Sequence, residues 1–177
     1  MTEPAGAGPP TGPVAVLIGP PGAGKTSVGP LLAERLGTSF RETDADIAAA
    51  AGQLVSDIFI EQGEAAFRQL EREAAARALR EHAGVLALGS GAVLDPDIQL
   101  RLEGLPVVYL AAGFATIARR MGLDRPRVVI PGNPRGRLRA MLEERRPLYE
   151  QLATVTVETD DLDPDELAAE IGARLKQ

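Results

Sequence analysis

No cysteine occurs anywhere in the 177 residues. A disulfide framework, a thiol nucleophile and a zinc–thiolate centre are therefore excluded. The lone histidine, His82, cannot build a histidine-rich metal site. It falls at the end of a helical stretch, where a surface or capping role is expected. Tryptophan is absent and aromatic residues make up 3%, so platforms for stacking bases are not expected. Positive charge is short as well. The net charge is −6, which argues against nucleic acid as the main partner, because phosphate backbones favour a basic face. No run approaches the roughly 18 apolar residues of a membrane span. The first twelve residues, MTEPAGAGPPTG, lack the apolar core of a signal peptide. They read as a flexible tail ahead of one domain over 13–177, and a cytoplasmic location follows by default.

What is present is ordinary for a soluble globular chain: 45% hydrophobic and 25% charged residues, at a length that supports a real core. The charge is unevenly spread. Between Arg119 and Arg146 stand nine arginines against three acids. Helical arginines often form a solvated face. At this density in an acidic chain they also suit a polyanionic small ligand.

Apolar runs and amphipathic stretches alternate. Strands are expected at 14–18, 39–43, 85–88, 106–110 and 153–158. Between them lie helices near 24–36, 45–51, 55–61, 64–82, 112–121 and 138–152. Asp95-Pro96 and Asp163-Pro164 each open a further helix, with Asp as N-cap and Pro at the first position. Gly122 to Gly136 is rich in Gly, Pro and Arg without periodicity and reads as a mobile loop. Strand–helix alternation of this kind means an α/β fold, three layers deep, around a five-stranded parallel sheet. Ligands then sit beyond the carboxyl ends of the strands, at Gly19, Asp44, Gly89 and Ala111.

Gly19-Pro-Pro-Gly22-Ala23-Gly24-Lys25-Thr26 follows a strand and opens a helix, the context in which this pattern is a phosphate-binding P-loop. Backbone N–H groups from Gly22 through Ser27 would cradle phosphates at a helix N-terminus. Lys25 would bridge the outer phosphates, and the Thr26 hydroxyl is placed for Mg²⁺. No Asn-Lys-x-Asp base-reading motif accompanies it, so ATP is expected. Four candidates on the acceptor side remain open. Asp44 either orients an acceptor hydroxyl or caps a helix, or does both. Glu42 projects to the same strand face and could reach Mg²⁺ through water. Arg68 and Glu71, three apart on one helix face, are either a surface pair or a carboxylate clamp with its support. Gly89-Ser90-Gly91 is either a tight turn or a set of N–H groups facing a carboxylate or hydroxyl.

Together, GPPGAGKT, ETDADI, DIFIEQGEAAFRQLE, LALGSGAV, VVYL, DRP and ERRPLYEQLA resemble the shikimate kinases over nearly the whole chain. The resemblance implies a P-loop kinase of the nucleoside monophosphate kinase type with a mobile lid at about 122–136 and acceptor-binding helices over about 44–82. It implies transfer of the ATP γ-phosphate to the 3-hydroxyl of shikimate, with Mg²⁺, by a monomer. Asp44 would bind the hydroxyls and assist deprotonation. Arg68 and Arg145 would grip the carboxylate, with Glu71 supporting Arg68. Gly89, Ser90 and Gly91 would contact the ring hydroxyls. Arg125 would close from the lid, and Arg120 would flank the adenine.

Departures from the pattern are Ser90 in place of a middle glycine, Glu42 in place of Asp, and an Arg-Pro-Arg-Val-Val lid. The stretch before Arg125 is about two residues short, and Leu162 stands where many members carry arginine. Such changes would suit a paralogous kinase of another hydroxylated acid or a cyclitol. Gluconate is a weaker candidate, because the Asp-Gly-Asp and His-containing acceptor segment is missing. An ATP-binding module without turnover is the alternative from another class.

Overall fold

In the computed structural model, which describes residues 12–124 and 132–177, the alternation becomes a parallel sheet. The strands are β1 (Ala15–Ile18), β2 (Phe40–Glu42), β3 (Val85–Ala87), β4 (Val107–Ala111) and β5 (Val155–Glu158), in the order β2-β3-β1-β4-β5. Every pairing is parallel. β1 is central because it is apolar throughout and buried on both faces, as a central parallel strand must be. Its side chains alternate between two cores. Val16 and Ile18 face one with Leu86, Leu88, Ile98 and Tyr149. Ala15 and Leu17 face the other with Leu32, Val85, Leu110 and Ile171. Helices cover both faces, completing the three layers expected from the sequence.

Eight helices are described: α1 (Lys25–Arg35), α2 (Thr43–Ala51), α3 (Val55–Gln62), α4 (Glu64–Glu81), α5 (Pro96–Leu102), α6 (Phe114–Arg120), α7 (Pro134–Leu152) and α8 (Pro164–Arg174). A 3₁₀ turn, Ala92–Leu94, follows β3. Asp95 and Asp163 cap α5 and α8 as their Asp-Pro pairs predict, and the cap at Asp163 is a full capping box with Glu166.

Two boundaries differ from expectation for local reasons. α7 begins four residues earlier than its apolar periodicity suggests. The Asn133 side chain accepts from the Gly136 N–H at 2.9 Å, and Pro134 takes the first helical position. This shortens the loop expected over 122–136. α2 begins at Thr43, so Asp44 lies inside the first turn and is not the N-cap. The apolar spacing of α4 predicts Phe67, Leu70, Ala74 and Ala78 facing inward, and the buried face is shifted from that. Glu71, Ala75 and Leu79 are buried with Phe67 and Ala78, whereas Leu70 and Ala74 pack only at the edge of a smaller cluster with Ile47, Ile58 and Phe67.

Register aligns the carboxyl ends of the strands. Leu17 pairs with Ala87, Ala87 with Glu42, and Ile18 with Tyr109. The loop after β1, the first turn of α2 and the turn after β3 therefore meet at one edge. The chain leaves β1 toward β2 on one side and reaches β4 on the other, which is the switch point where α/β sheets hold ligands.

Candidate active site

The loop between β1 and α1 takes the conformation its glycines permit. Gly22 has φ +78° and Gly24 +105°, and Gly24 is the N-cap of α1 with no side chain capping it. A side chain at such angles is strained, so glycine here leaves the first N–H groups of α1 open to a phosphate. Ala23 does not share that role through its side chain, which is buried in the sheet core, and its N–H is committed to Pro20 O at 3.2 Å. Lys25 folds back into the loop. Its Nζ donates to Gly19 O at 2.6 Å and Pro20 O at 3.1 Å. Desolvation there lowers its pKa from the ordinary value to about 8, against the raising effects of Asp44, Glu42 and Glu71.

Thr26 Oγ1 donates to Glu42 Oε1 at 2.6 Å. Glu42 is the N-cap of α2, yet its carboxylate makes no capping bond; it turns to the loop instead. A cavity of about 550 Å³ opens over this pair, lined by Gly22, Gly24, Lys25, Ser27, Asp44 and Ser90, with Arg120 at its wall. Arg120 donates to Gly22 O at 2.9 Å and Thr159 O at 3.5 Å, tying α6 and the end of β5 to the loop.

Asp44 brings the acceptor side to the same cavity. Its Oδ1 is buried and has no hydrogen-bond partner among the described residues. Desolvation raises its pKa above the ordinary carboxylate value; Glu42 raises it further, while Lys25 and Arg68 pull it down. Arg68 and Glu71 are not a surface pair. Arg68 Nη1 donates to Glu71 Oε1 at 2.7 Å, and the Glu71 side chain is 3% exposed. Desolvation is also the first cause of Glu71's raised pKa, with Arg68 opposing it. Acids so deeply placed are rare unless paired. A second cavity of about 310 Å³ lies over this pair and Gly91. Arg145, on α7, is 8% exposed. Its charge reaches Lys25, Glu71 and Tyr149.

The turn after β3 sits between the two cavities: Ser90 lines the first and Gly91 the second. Among the described residues every positive φ belongs to a glycine, and neither Gly89 nor Gly91 is among those glycines. These two are small for a different reason. A Cβ on Gly89 would stand 2.6 Å from Glu71 Oε2 and 2.7 Å from Asp44 Oδ1; one on Gly91 would collide with the Arg68 guanidinium. Gly89 corrects one expectation. Its N–H donates to Thr43 Oγ1 at 2.9 Å, so it is not free for a ligand. Sequence reasoning also missed Tyr149, whose hydroxyl donates to Ser90 O at 2.7 Å. The PLY stretch was visible, but nothing in it indicated a partner 59 residues away. Arg125 lies outside the described residues.

A P-loop, a buried carboxylate beside it and a guanidinium pocket one residue further on define a small-molecule kinase of the nucleoside monophosphate kinase type. The comparisons narrow the class. A family model described as shikimate kinase matches residues 21–176. The chain is 55% identical over 163 residues to a shikimate kinase of Thermobifida fusca, covering 92% of this chain and 95% of that one. To a shikimate kinase of Streptomyces coelicolor it is 51% identical, covering 88% and 91%. Among solved structures, shikimate kinase from Acinetobacter baumannii in complex with shikimate superposes with a TM-score of 0.81 at 34% identity, over 92% of each chain. The chain belongs to the shikimate kinase family. Its substrate is a small molecule, and no helix among the described residues is long and apolar enough to cross a membrane.

Proposed function

We propose that the chain transfers the γ-phosphate of ATP to the 3-hydroxyl of shikimate, the step that yields shikimate 3-phosphate on the way to chorismate and the aromatic amino acids. The observation that carries this reading is Asp44. Asp44 lines a cavity shared with Lys25, Thr26 and Glu42, where an acceptor hydroxyl would meet a phosphate, and its Oδ1 is buried beside Gly89 without a partner among the described residues. The raised pKa makes Asp44 a stronger base than a surface carboxylate, so it orients the hydroxyl and takes its proton as the bond to phosphorus forms.

Lys25 places its charge on the transferring phosphoryl group, where stabilisation matters most. Phosphate oxygens would restore the full positive charge that desolvation weakens. Thr26 and Glu42 offer two hard oxygens in contact, a donor set suited to Mg²⁺. When bound there, the ion would neutralise charge between the outer phosphates. The shikimate carboxylate falls to Arg68, held in a fixed direction by buried Glu71, and to Arg145. Backbone N–H groups of Ser90 and Gly91 meet ring hydroxyls. Arg120 flanks the adenine, and Arg125 closes on the phosphates from the lid. α2 to α4 form the acceptor-binding segment. Excluding water matters here because water competes as acceptor.

The Ser90 backbone has no positive φ, which supports a turn that accepts shikimate with serine at its centre. The reading extends to a cytoplasmic monomer with no nucleic-acid partner; size-exclusion chromatography coupled to light scattering tests the monomer. The deciding experiment is ADP release from ATP and Mg²⁺ with shikimate, quinate, gluconate or a cyclitol. Only shikimate should raise it strongly. Stimulation by another acceptor alone would overturn the assignment, and ATP binding without any stimulation would leave a nucleotide-binding module.

A further inference from the structure

Beyond the last ladder bond of β3, the substrate turn is held by two buried hydroxyls. We infer that Thr43 and Tyr149 are positioning residues that clamp the Gly89–Ser90 segment from two helices, α2 and α7, and keep it in register with Asp44 and Arg145. This inference rests on the acceptor reading above.

The geometry is specific. The Gly89 N–H donates to Thr43 Oγ1 at 2.9 Å, and the Ser90 carbonyl accepts from the Tyr149 hydroxyl at 2.7 Å. Thr43 is 0% and Tyr149 1% exposed, so water does not readily replace either partner. The Tyr149 ring is fixed by stacking on Tyr109, with centroids 5.1 Å apart and planes at 23°. Burial raises its pKa to about 12, and the hydroxyl remains a donor throughout the working pH range.

Each clamp residue is covalently close to a group assigned to the acceptor. Thr43 precedes Asp44 at the start of α2, and Tyr149 lies one helical turn after Arg145 on α7. The two bonds thus tie α2 and α7 to the same turn. With the Gly89 N–H taken by Thr43, the Ser90 and Gly91 N–H groups are the turn donors left for a ligand among the described residues. The phosphate loop does not depend on this clamp, since its bonds run to its own backbone, to Glu42 and to Arg120. Loss of a clamp hydroxyl should therefore displace the acceptor and spare the nucleotide.

The test compares Tyr149→Phe, Thr43→Val and Thr43→Ser with wild type in steady-state assays varying shikimate and ATP separately, with thermal melts alongside. Removing one hydroxyl should raise the shikimate KM about 2- to 12-fold, the range of a single net hydrogen bond, and leave the ATP KM within about twofold. Thr43→Ser retains the oxygen and should return the shikimate KM to within about twofold of wild type. A lowered melting temperature with both Michaelis constants unchanged, or both raised alike, would overturn the clamp. If Thr43→Val does not fold, Tyr149→Phe decides alone, because it keeps the ring and its stacking partner. Wild type in the same assay separates the two ideas. Failure of wild type to use shikimate sinks the acceptor reading, whereas a working wild type with unsplit variants sinks only the clamp.

Discussion

Two glycine-bearing loops face each other across the site, and they need glycine for different physical reasons. In the nucleotide loop Gly22 and Gly24 have left-handed φ values. Glycine is required by the local backbone, whatever surrounds it. In the acceptor turn Gly89 and Gly91 have ordinary φ values and are small because Asp44, Glu71 and Arg68 press against them. Glycine there is required by the neighbours. A backbone requirement is local and can be read as a motif. A clearance requirement involves α2 and α4, and becomes readable only once the chain has folded.

Asp44 stands between the two loops, and its removal is the largest expected effect. Asp44→Asn keeps size and removes the base. kcat should fall about 10²- to 10⁴-fold, with both Michaelis constants changing only a few-fold, since neither loop is disturbed. Stopped-time ADP assays at saturating substrates measure it. A loss of less than tenfold would mean that the proton leaves by another route.

Arg68→Ala separates the sides. The shikimate KM should rise about 10- to 150-fold, as expected for a lost charge-assisted contact, while ATP affinity stays near wild type. Because the Glu71 side chain is only 3% exposed, its carboxylate would lose its cation, and stability should fall as well. Arg68→Lys keeps a charge without the planar fork. It should restore stability more fully than it restores the shikimate KM. Equal losses for both substrates with Arg68→Ala would remove the carboxylate assignment.

The contrast between the glycines is open to a direct cross. Gly24→Ala places a Cβ at φ +105°, a strain of about 1–2 kcal/mol, and should raise the ATP KM about 5- to 30-fold with little change for shikimate. Gly91→Ala drives a methyl into Arg68 and should do the converse. A Gly91→Ala/Arg68→Ala double variant should show a much smaller added cost from the alanine at 91, because the guanidinium it collides with is gone and only Glu71 Oε1, 2.9 Å from the new methyl, remains. If Gly91→Ala is as damaging without Arg68 as with it, the requirement at that position is backbone conformation after all.

Much of this was legible beforehand, and unevenly. The five strands, the P-loop and the Asp-Pro helix starts follow from runs and local chemistry, and they stand where expected. The α7 start was missed because Asn133 capping Gly136 lies in a stretch with no apolar period. For Glu71 the spacing to Arg68 left a surface pair and a supported carboxylate clamp equally open, because the burial that decides between them depends on the turn after β3 closing over it. Thr43 and Tyr149 carried no signal, as their partners are 46 and 59 residues away. Local rules reached the nucleotide side, and tertiary contacts decide the acceptor side.

Lys25 gives a pH signature confined to the nucleotide loop. Its pKa is lowered to about 8 in the free protein. The kcat/KM for ATP reports free-enzyme ionisations, so it should fall on the alkaline side with a midpoint near pH 8 as the ammonium loses its proton. Above that midpoint the decline approaches tenfold per pH unit. kcat at saturating ATP should hold to higher pH, because bound phosphates favour the charged form. An alkaline limb beyond pH 10 in kcat/KM would show that Lys25 is not desolvated.

The smallest expected effect lies at Ser90. If the acceptor turn needed the freedom of glycine at its centre, Ser90 would be held in a left-handed conformation. No described non-glycine residue is. Its carbonyl is already fixed by Tyr149, and the residue lines the nucleotide cavity. Ser90→Gly should therefore leave the shikimate KM within about twofold and the order of acceptors unchanged. Stability should drop by about 0.4–1 kcal/mol, because glycine widens the unfolded ensemble without relieving strain in the folded one. Acceptor-panel assays and a denaturant titration on the same preparations read both quantities. A clear gain in shikimate affinity, or a switch in preferred acceptor, would show that the serine reshapes the turn. The clearance explanation would then hold for Gly89 and Gly91 but not for the residue between them.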